Sequence, residues 1–250
     1  MIDDVLAGKL AAIAATPVLL VASDYDGVLS PIVNDPAAAV PDQPALAALV
    51  RLGQLPDTYA LAISGRSRDT LVALTGNPPG VTMIGTHGAE ATGDAVKPAA
   101  TDRVRDLQAD LLALSKQYPG SEVELKPIGA AFHYRNAAHG GRSALQARAI
   151  AETAGARVIA GKKVVECVFG DADKGSALDA FRQKIDATAV VFLGDDTTDE
   201  DAFAVLGSGD AGIKVGPGPT LAAYRIPSQQ DVALVLKTLV TARRGAQAQA

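Results

Sequence analysis

Four short polar clusters interrupt apolar stretches of this 250-residue chain. They are Ser23-Asp24-Tyr25-Asp26-Gly27-Val28, Ser64-Gly65-Arg66, Asp171-Ala172-Asp173-Lys174, and Gly194-Asp195-Asp196-Thr197-Thr198-Asp199. Gathered in one crevice, Asp24, Asp26, Asp195 and Asp196 concentrate negative charge. Like charges that close raise one another's pKa unless a cation compensates. Hard oxygen donors in that number suit Mg2+, which takes carboxylates together with water and substrate phosphate. Ser64 and Lys174 add a hydroxyl and a positive charge for phosphate oxygens, and Gly27 lets the backbone approach an anion. A carboxylate can also be the nucleophile of phosphoryl transfer, giving an acyl phosphate that water cleaves. At an extended strand end, Asp24 and Asp26 point to the same side. One can then attack phosphorus while the other protonates the leaving oxygen and later deprotonates water.

Each cluster has a plainer explanation when taken singly. Two aspartates one residue apart are common in loops and caps, Ser64-Gly65 suits a turn, and Lys174 suits a solvated helix start. The acidic run from Asp195 to Asp201 suits a charged first helical turn. What favours chemistry is that all four arrive in order at strand ends or helix starts. In open α/β sheets that edge gathers loops and helix N-termini around ligands.

The elements that would position them can be traced. Val18–Ala22, Ala60–Ile63, Val81–Ile84, Ala189–Leu193 and Ala211–Val215 are strand-length apolar runs without clean alternation, as parallel strands buried on both faces require. Between them Gln43–Leu52, Ser67–Thr75, Lys174–Lys184 and Asp199–Leu206 carry helical spacing. Strand and helix in alternation predict a doubly wound α/β sheet. The middle third breaks the rhythm. Thr101–Tyr118 reads as a helix, Glu122–Lys126 and Ala130–Arg135 as a hairpin, and Gly141–Ala154 as a second helix. Arg157–Ala160 and Lys163–Phe169 read as another hairpin, around Gly161-Lys162. This pattern predicts an α+β module over 98–169, inserted into an α/β core formed by 1–97 and 170–250. The tail Gly245–Ala250 reads as frayed.

Bulk properties exclude several classes. Net charge is −5 and aromatic content 4%, so neither a basic face nor a stacking platform is available for nucleic acid. With 48% apolar residues, a large core of Ala, Val, Leu and Ile is expected. The apolar stretch Pro17–Ala22 is too short to span a bilayer. The single cysteine, Cys167, rules out an intrachain disulfide and suits a reducing cytoplasm. A soluble monomer is the expectation.

The longer strings sharpen this. Asp24–Val28 resembles the first signature of the haloacid dehalogenase superfamily of phosphatases. Ser64, Lys174 and Gly194-Asp195-Asp196 resemble its other three motifs. Asp24–Ile32 (DYDGVLSPI), Ile63–Arg66 (ISGR), His87–Glu90 (HGAE), Phe132–Arg135 (FHYR) and Gly194–Phe203 (GDDTTDEDAF) are similar to trehalose-6-phosphate phosphatases. The resemblance implies a HAD-like core with an inserted cap that closes over the sugar. It implies Asp24 as nucleophile, Asp26 as general acid/base, and Ser64 and Lys174 on the phosphoryl group. Mg2+ would be held by Asp24, the Asp26 carbonyl and Asp195, with Asp196 close by or acting through water. Glu124, Lys126 and Glu166 would bind glucose hydroxyls, and Arg66, His87 and Arg135 would line the pocket. Val28 departs from the signature, which has Thr there, Tyr25 replaces the usual Phe, and Gly170–Asp173 replaces a Pro-rich, basic stretch. Hydrolysis of trehalose 6-phosphate is the implied activity. The rivals are a phosphatase of sucrose or mannosylglycerate phosphate, a phosphomutase, and a non-catalytic HAD-like binding domain.

Overall fold

The computed structural model describes residues 2–33, 35–90, 98–161 and 163–249, with the backbone alone at 98–101 and 160. Two compact units emerge, Met1–Ala91 with Ala172–Ala250, and Thr92–Asp171. Residues 91–97, where the first expected boundary falls, lie outside the described residues, as does Lys162 of the expected Gly161-Lys162 turn.

In the first unit the strands are β1 (Leu19–Ser23), β2 (Thr58–Ile63) and β3 (Val81–Ile84), followed after the second unit by β8 (Ala189–Gly194), β9 (Ala211–Val215) and β10 (Tyr224–Ile226). They form one parallel sheet in the order β10-β9-β8-β1-β2-β3. Helices α1 (Asp4–Ala14), α2 (Gln43–Gly53) and α8 (Val232–Gln247) cover one face, packing Leu10, Leu49 and Leu236 with Leu19 and Val21. Helices α6 (Lys174–Lys184) and α7 (Glu200–Ala204) cover the other, where Leu178 and Phe203 meet Leu20, Ala22 and Phe192. Helix α3 (Arg68–Thr75) follows β2. Both faces being covered is why β1 and β8 are buried at every position. The doubly wound α/β sheet expected from the sequence is the fold observed.

Local chemistry fixes the helix ends. Asp3, Asp42 and Ser67 accept from backbone N–H groups in the first turns of α1, α2 and α3. Asp173 and Ser176 form a reciprocal capping box that starts α6 at Lys174. The expected helix over Asp199–Leu206 is a 3-10 turn, Thr197–Asp199, running into the short α7. The frayed tail expected from Gly245 onward is corrected, because α8 continues to Gln247. It is tied down by buried Arg243, which donates to the carbonyls of Ala14, Thr16, Pro17 and Asp57 and to Thr58 Oγ1.

The second unit holds α4 (Pro98–Gln117), β4 (Glu122–Lys126), β5 (Gly129–His133), α5 (Gly140–Ala154), β6 (Arg157–Gly161) and β7 (Val164–Val168). Its sheet is antiparallel, in the order β4-β5-β7-β6. Alternation divides that sheet in two. Ala130, Phe132, Val165 and Cys167 pack with Leu107, Leu111, Ala147 and Ala151 of the helices. The intervening positions, including Glu124, Lys126, His133 and Glu166, therefore share the opposite face.

Candidate active site

Strands β8, β1 and β2 are neighbours at the centre of the parallel sheet, and Ser23 is in register with Leu193 on one side and Ala62 on the other. The residues that follow these strands, Asp24, Asp195 and Ser64, therefore emerge side by side at one edge. The chain leaves β1 toward β2 on one side and leaves the neighbouring β8 toward β9 on the other, and this divergence opens a crevice beyond the strand ends.

Asp24 is 5% exposed, and its Oδ1 accepts from the Tyr25 N–H at 2.6 Å. The same oxygen lies 3.0 Å from Lys174 Nζ, which also donates to Asp199 Oδ1 at 2.7 Å. Lys174 and Asp199 are buried too. Burial pushes the Asp24 carboxyl well above the usual carboxylate range; the negative charge of Asp199 adds to this, and so do Asp195 and Asp26, against the opposing pull of Lys174. For Lys174, burial favours loss of the proton, but the two carboxylates outweigh it and its pKa rises. The ammonium stays charged.

Carboxylate oxygens of Asp24, Asp195 and Asp199 all lie within 4.8 Å of one another. Asp195 closes over Gly27, whose φ is +84°, at a place where any Cβ would overlap its carboxylate. Three hard anionic donors meet here, and after burial the charge of Asp199 and Asp195 adds to the upward push on the Asp24 carboxyl. A divalent cation with oxygen preference fits this donor set.

Asp199 was missed as a site residue in the sequence. Its Oδ2 accepts from the N–H groups of Asp195 and Asp196, so it shapes the acidic loop from within. Gly194 is required for it, since a Cβ there would strike the Asp199 side chain. Asp196 is not one of the three clustered carboxylates; its Oδ1 accepts from the Thr197 N–H and starts the 3-10 turn. Lys214, also unremarked in the sequence, is buried on β9 and donates to the Asp195 carbonyl at 2.7 Å.

Ser64 is buried, and its Oγ accepts from the Arg66 N–H at 3.2 Å. Arg66 grips Asp26 with two hydrogen bonds, Nε to Oδ2 at 2.7 Å and Nη2 to Oδ1 at 2.8 Å. His87 is buried, its ring lying where a Cβ on Gly65 would be, 2.6 Å from that position. Thr86 and His87 both take left-handed backbone angles, φ +49° and +52°. Their N–H groups bind the carbonyls of Arg66 and Ser64, while Glu90 accepts from Thr86 Oγ1 and the Arg68 N–H. The His87–Glu90 string thus braces the loop that carries Ser64. Val28 and Tyr25 are core residues with no exposed surface, and the Tyr25 hydroxyl donates to the Ala39 carbonyl.

In the second unit, Glu124, Ala131 and Glu166 lie in one cross-strand row. Lys126 pairs with Glu166, and His133 Nε2 lies 3.3 Å from Glu124 Oε2. Arg135 lies exposed in the turn after β5. Among the described residues no helix is long and apolar enough to cross a membrane.

Comparison with known proteins agrees with this arrangement. The trehalose-phosphatase family model matches residues 22–228. The bifunctional trehalose-6-phosphate synthase/phosphatase of Thermoproteus tenax is 34% identical over 234 residues, covering 86% of this chain and 31% of that protein. The trehalose-6-phosphate phosphatase of Escherichia coli is 35% identical over 228 residues, covering 88% of this chain and 85% of that protein. The chain thus spans 85% of the E. coli protein but less than a third of the T. tenax one; against mycobacterial relatives it spans 58%. The solved C-terminal domain of Candida albicans trehalose-6-phosphate phosphatase matches with a TM-score of 0.77 at 25% identity, over 94% of this chain and 96% of that one. All four polar clusters fall inside the matched span, and the chain belongs to the trehalose-phosphatase family.

Proposed function

We propose that this protein hydrolyses trehalose 6-phosphate to trehalose and phosphate through a phosphorylated Asp24, with Mg2+ as the metal. The observation that carries the reading is the group of buried Asp24, Lys174 and Asp199 with half-buried Asp195 at the ends of adjacent strands. The E. coli relative, named for this activity and spanned over 85% of its length, supports the substrate.

An Asp24 carboxylate oxygen attacks phosphorus as the bond to the sugar oxygen breaks, and Asp26 supplies the proton that oxygen needs. Water then attacks the same phosphorus, the bond to Asp24 breaks, and Asp26 takes the water's proton. Lys174 and the Ser64 hydroxyl hold the equatorial oxygens throughout, offsetting their charge. When bound by Asp24, the Asp26 carbonyl and Asp195, with Asp196 acting through water, Mg2+ supplies further charge stabilisation and substrate alignment. Asp199 keeps Lys174 charged and fixes the loop that presents Asp195. On the second unit, Glu124, Lys126 and Glu166 offer charged acceptors and donors to sugar hydroxyls, with Arg135 nearby in sequence.

The test is phosphate release with Mg2+ across trehalose 6-phosphate, sucrose 6-phosphate, glucose 6-phosphate and mannosylglycerate phosphate, beside Asp24→Asn. The expected result is strong preference for trehalose 6-phosphate, lost with the variant and with chelator and restored by Mg2+. Preference for another sugar phosphate would keep the mechanism and overturn the sugar assignment. Release of phosphate by Asp24→Asn at the wild-type rate would overturn the nucleophile.

A further inference from the structure

Arg66, expected to line the substrate pocket, turns its guanidinium onto Asp26. Two parallel hydrogen bonds of 2.7 and 2.8 Å run from Nε and Nη2 to the two oxygens of Asp26. Nη1 donates to the Pro36 carbonyl at 2.8 Å, and the guanidinium carbon lies 5.7 Å from the centre of the Tyr25 ring. Tyr25 is itself anchored, buried in the core with its hydroxyl on the Ala39 carbonyl. Exposure gives the orientation: the Arg66 side chain is 13% exposed and that of Asp26 is 38%. The arginine stands behind, and the carboxylate faces out. An arginine set to receive an anion from solvent would have the reverse arrangement.

An aspartate on a loop samples several rotamers, and an acid/base group acts only within hydrogen-bond reach of the proton it moves. The Asp26 backbone is fixed by its bridge to Ser30 and by the Gly27 turn. That leaves the two side-chain torsions. A planar fork on both oxygens fixes both, which a single-point ammonium cannot do. We propose that Arg66 is the positioning residue of Asp26 and acts on the reaction through that carboxylate, not by holding the substrate. This rests on the reading of Asp26 as the group that gives a proton to the sugar oxygen and later takes one from water.

The experiment is a double-mutant cycle on the full chain with Mg2+, comparing wild type, Arg66→Ala, Asp26→Asn and the double variant, with Arg66→Lys beside them. The substrates are trehalose 6-phosphate, whose alkoxide must be protonated to leave, and p-nitrophenyl phosphate, whose phenolate leaves without a proton. Removing an acid/base group costs roughly 10²- to 10⁴-fold, and Arg66→Ala is expected to lose about 10²-fold in kcat on the sugar phosphate with KM within about threefold. In the Asp26→Asn background the same change should cost less than about threefold, because its target is already gone. Arg66→Lys should stay below about a tenth of wild type, since charge alone does not make the fork. With the aryl ester, the first burst of p-nitrophenolate should survive in Arg66→Ala while steady turnover falls, because only the water step still needs Asp26.

Equal losses in both backgrounds, or a raised KM at unchanged kcat, would show that Arg66 holds substrate itself and would overturn the proposal. If Arg66→Ala does not fold, Arg66→Lys carries the same cycle. Wild-type turnover of the aryl ester alone would sink the sugar assignment yet leave the cycle decisive on the aryl water step. Absence of turnover on both substrates would remove the phosphatase reading and this proposal with it.

Discussion

Replacing Gly27 by alanine tests the placement of Asp195 more sharply than replacing Asp195. Gly27 has φ +84°, and a Cβ built there falls inside van der Waals contact of the Asp195 carboxylate, with Oδ1 only 2.6 Å away. Two consequences follow, and they differ in size. Holding alanine in the left-handed region costs roughly 1–2 kcal/mol relative to glycine. For a protein of this size, each 1 kcal/mol lowers Tm by about 2–4 °C. The protein should therefore stay folded, with Tm lower by about 2–8 °C. Relief of the overlap must come from movement, and Asp195 is the side chain in the way. A displacement of about 1 Å at a catalytic constellation can cost on the order of 10²-fold in rate.

The assay pairs thermal unfolding with kcat/KM for phosphate release across a Mg2+ titration. Gly27→Ala is expected to need more Mg2+ for half-maximal activity and to lose about 10²-fold at ordinary Mg2+, with only the modest Tm change. Activity within a factor of two of wild type at low Mg2+ would refute the reasoning, because Asp195 could then be moved freely. A Tm loss far larger than the strain accounts for would show that the loop serves folding before it serves the metal.

Two further outcomes follow from groups away from the polar edge. Arg243→Ala removes hydrogen bonds from four backbone carbonyls and the Thr58 hydroxyl in a buried setting. It should cost about 3–5 kcal/mol, read as a large Tm drop with kcat at 20 °C unchanged; a shift below 2 °C would mean water replaces the clasp. The Cys167 thiol, pushed up to about 12 by burial and then by the nearby charge of Glu166, should resist iodoacetamide at pH 8 until denaturant is added. Since the reactive thiolate population is set by that pKa, native-state alkylation should become fast only as pH nears 12. Rapid labelling at pH 8 under native conditions would mean the β7 strand opens readily.

The sheet was legible because parallel strands buried on both faces must be written as unbroken apolar runs. Val81–Ile84 and Ala211–Val215 are strands at their expected limits. The polar residues just after β1, β2 and β8 were legible for the same reason, standing out against the runs they end. Less visible elements had physical causes. Strand β10 is three residues long, too short to show a period. Helix α1 does carry its signal, since Leu6, Leu10 and Ile13 recur at helical spacing and are buried, but its alanine-rich surround blurs the contrast. Helix α8 is held by Arg243, whose acceptors are carbonyls of distant segments that no local pattern records. Asp199 was hidden in an acidic run that equally suits a solvated first turn. Only the folded loop shows it accepting from two backbone N–H groups and pairing with Lys174.

The core site and its stability are one electrostatic problem. Asp24, Asp195 and Asp199 come together because β1 and β8 are adjacent, and that adjacency is imposed by apolar packing that is indifferent to the charge it gathers. Lys174 is placed against two of the three by a capping box that starts α6 at the right residue, so a helix cap does electrostatic service for Asp24, the proposed nucleophile. A divalent cation held by these carboxylates would offset their charge, and a ligand that binds only the folded state stabilises it by RT ln(1 + [L]/Kd). The same carboxylates that would hold the metal therefore oppose folding without it. Weakening their mutual repulsion, as Asp24→Asn would, removes the proposed nucleophile and at the same time relieves part of the repulsion that makes the site receptive to a cation.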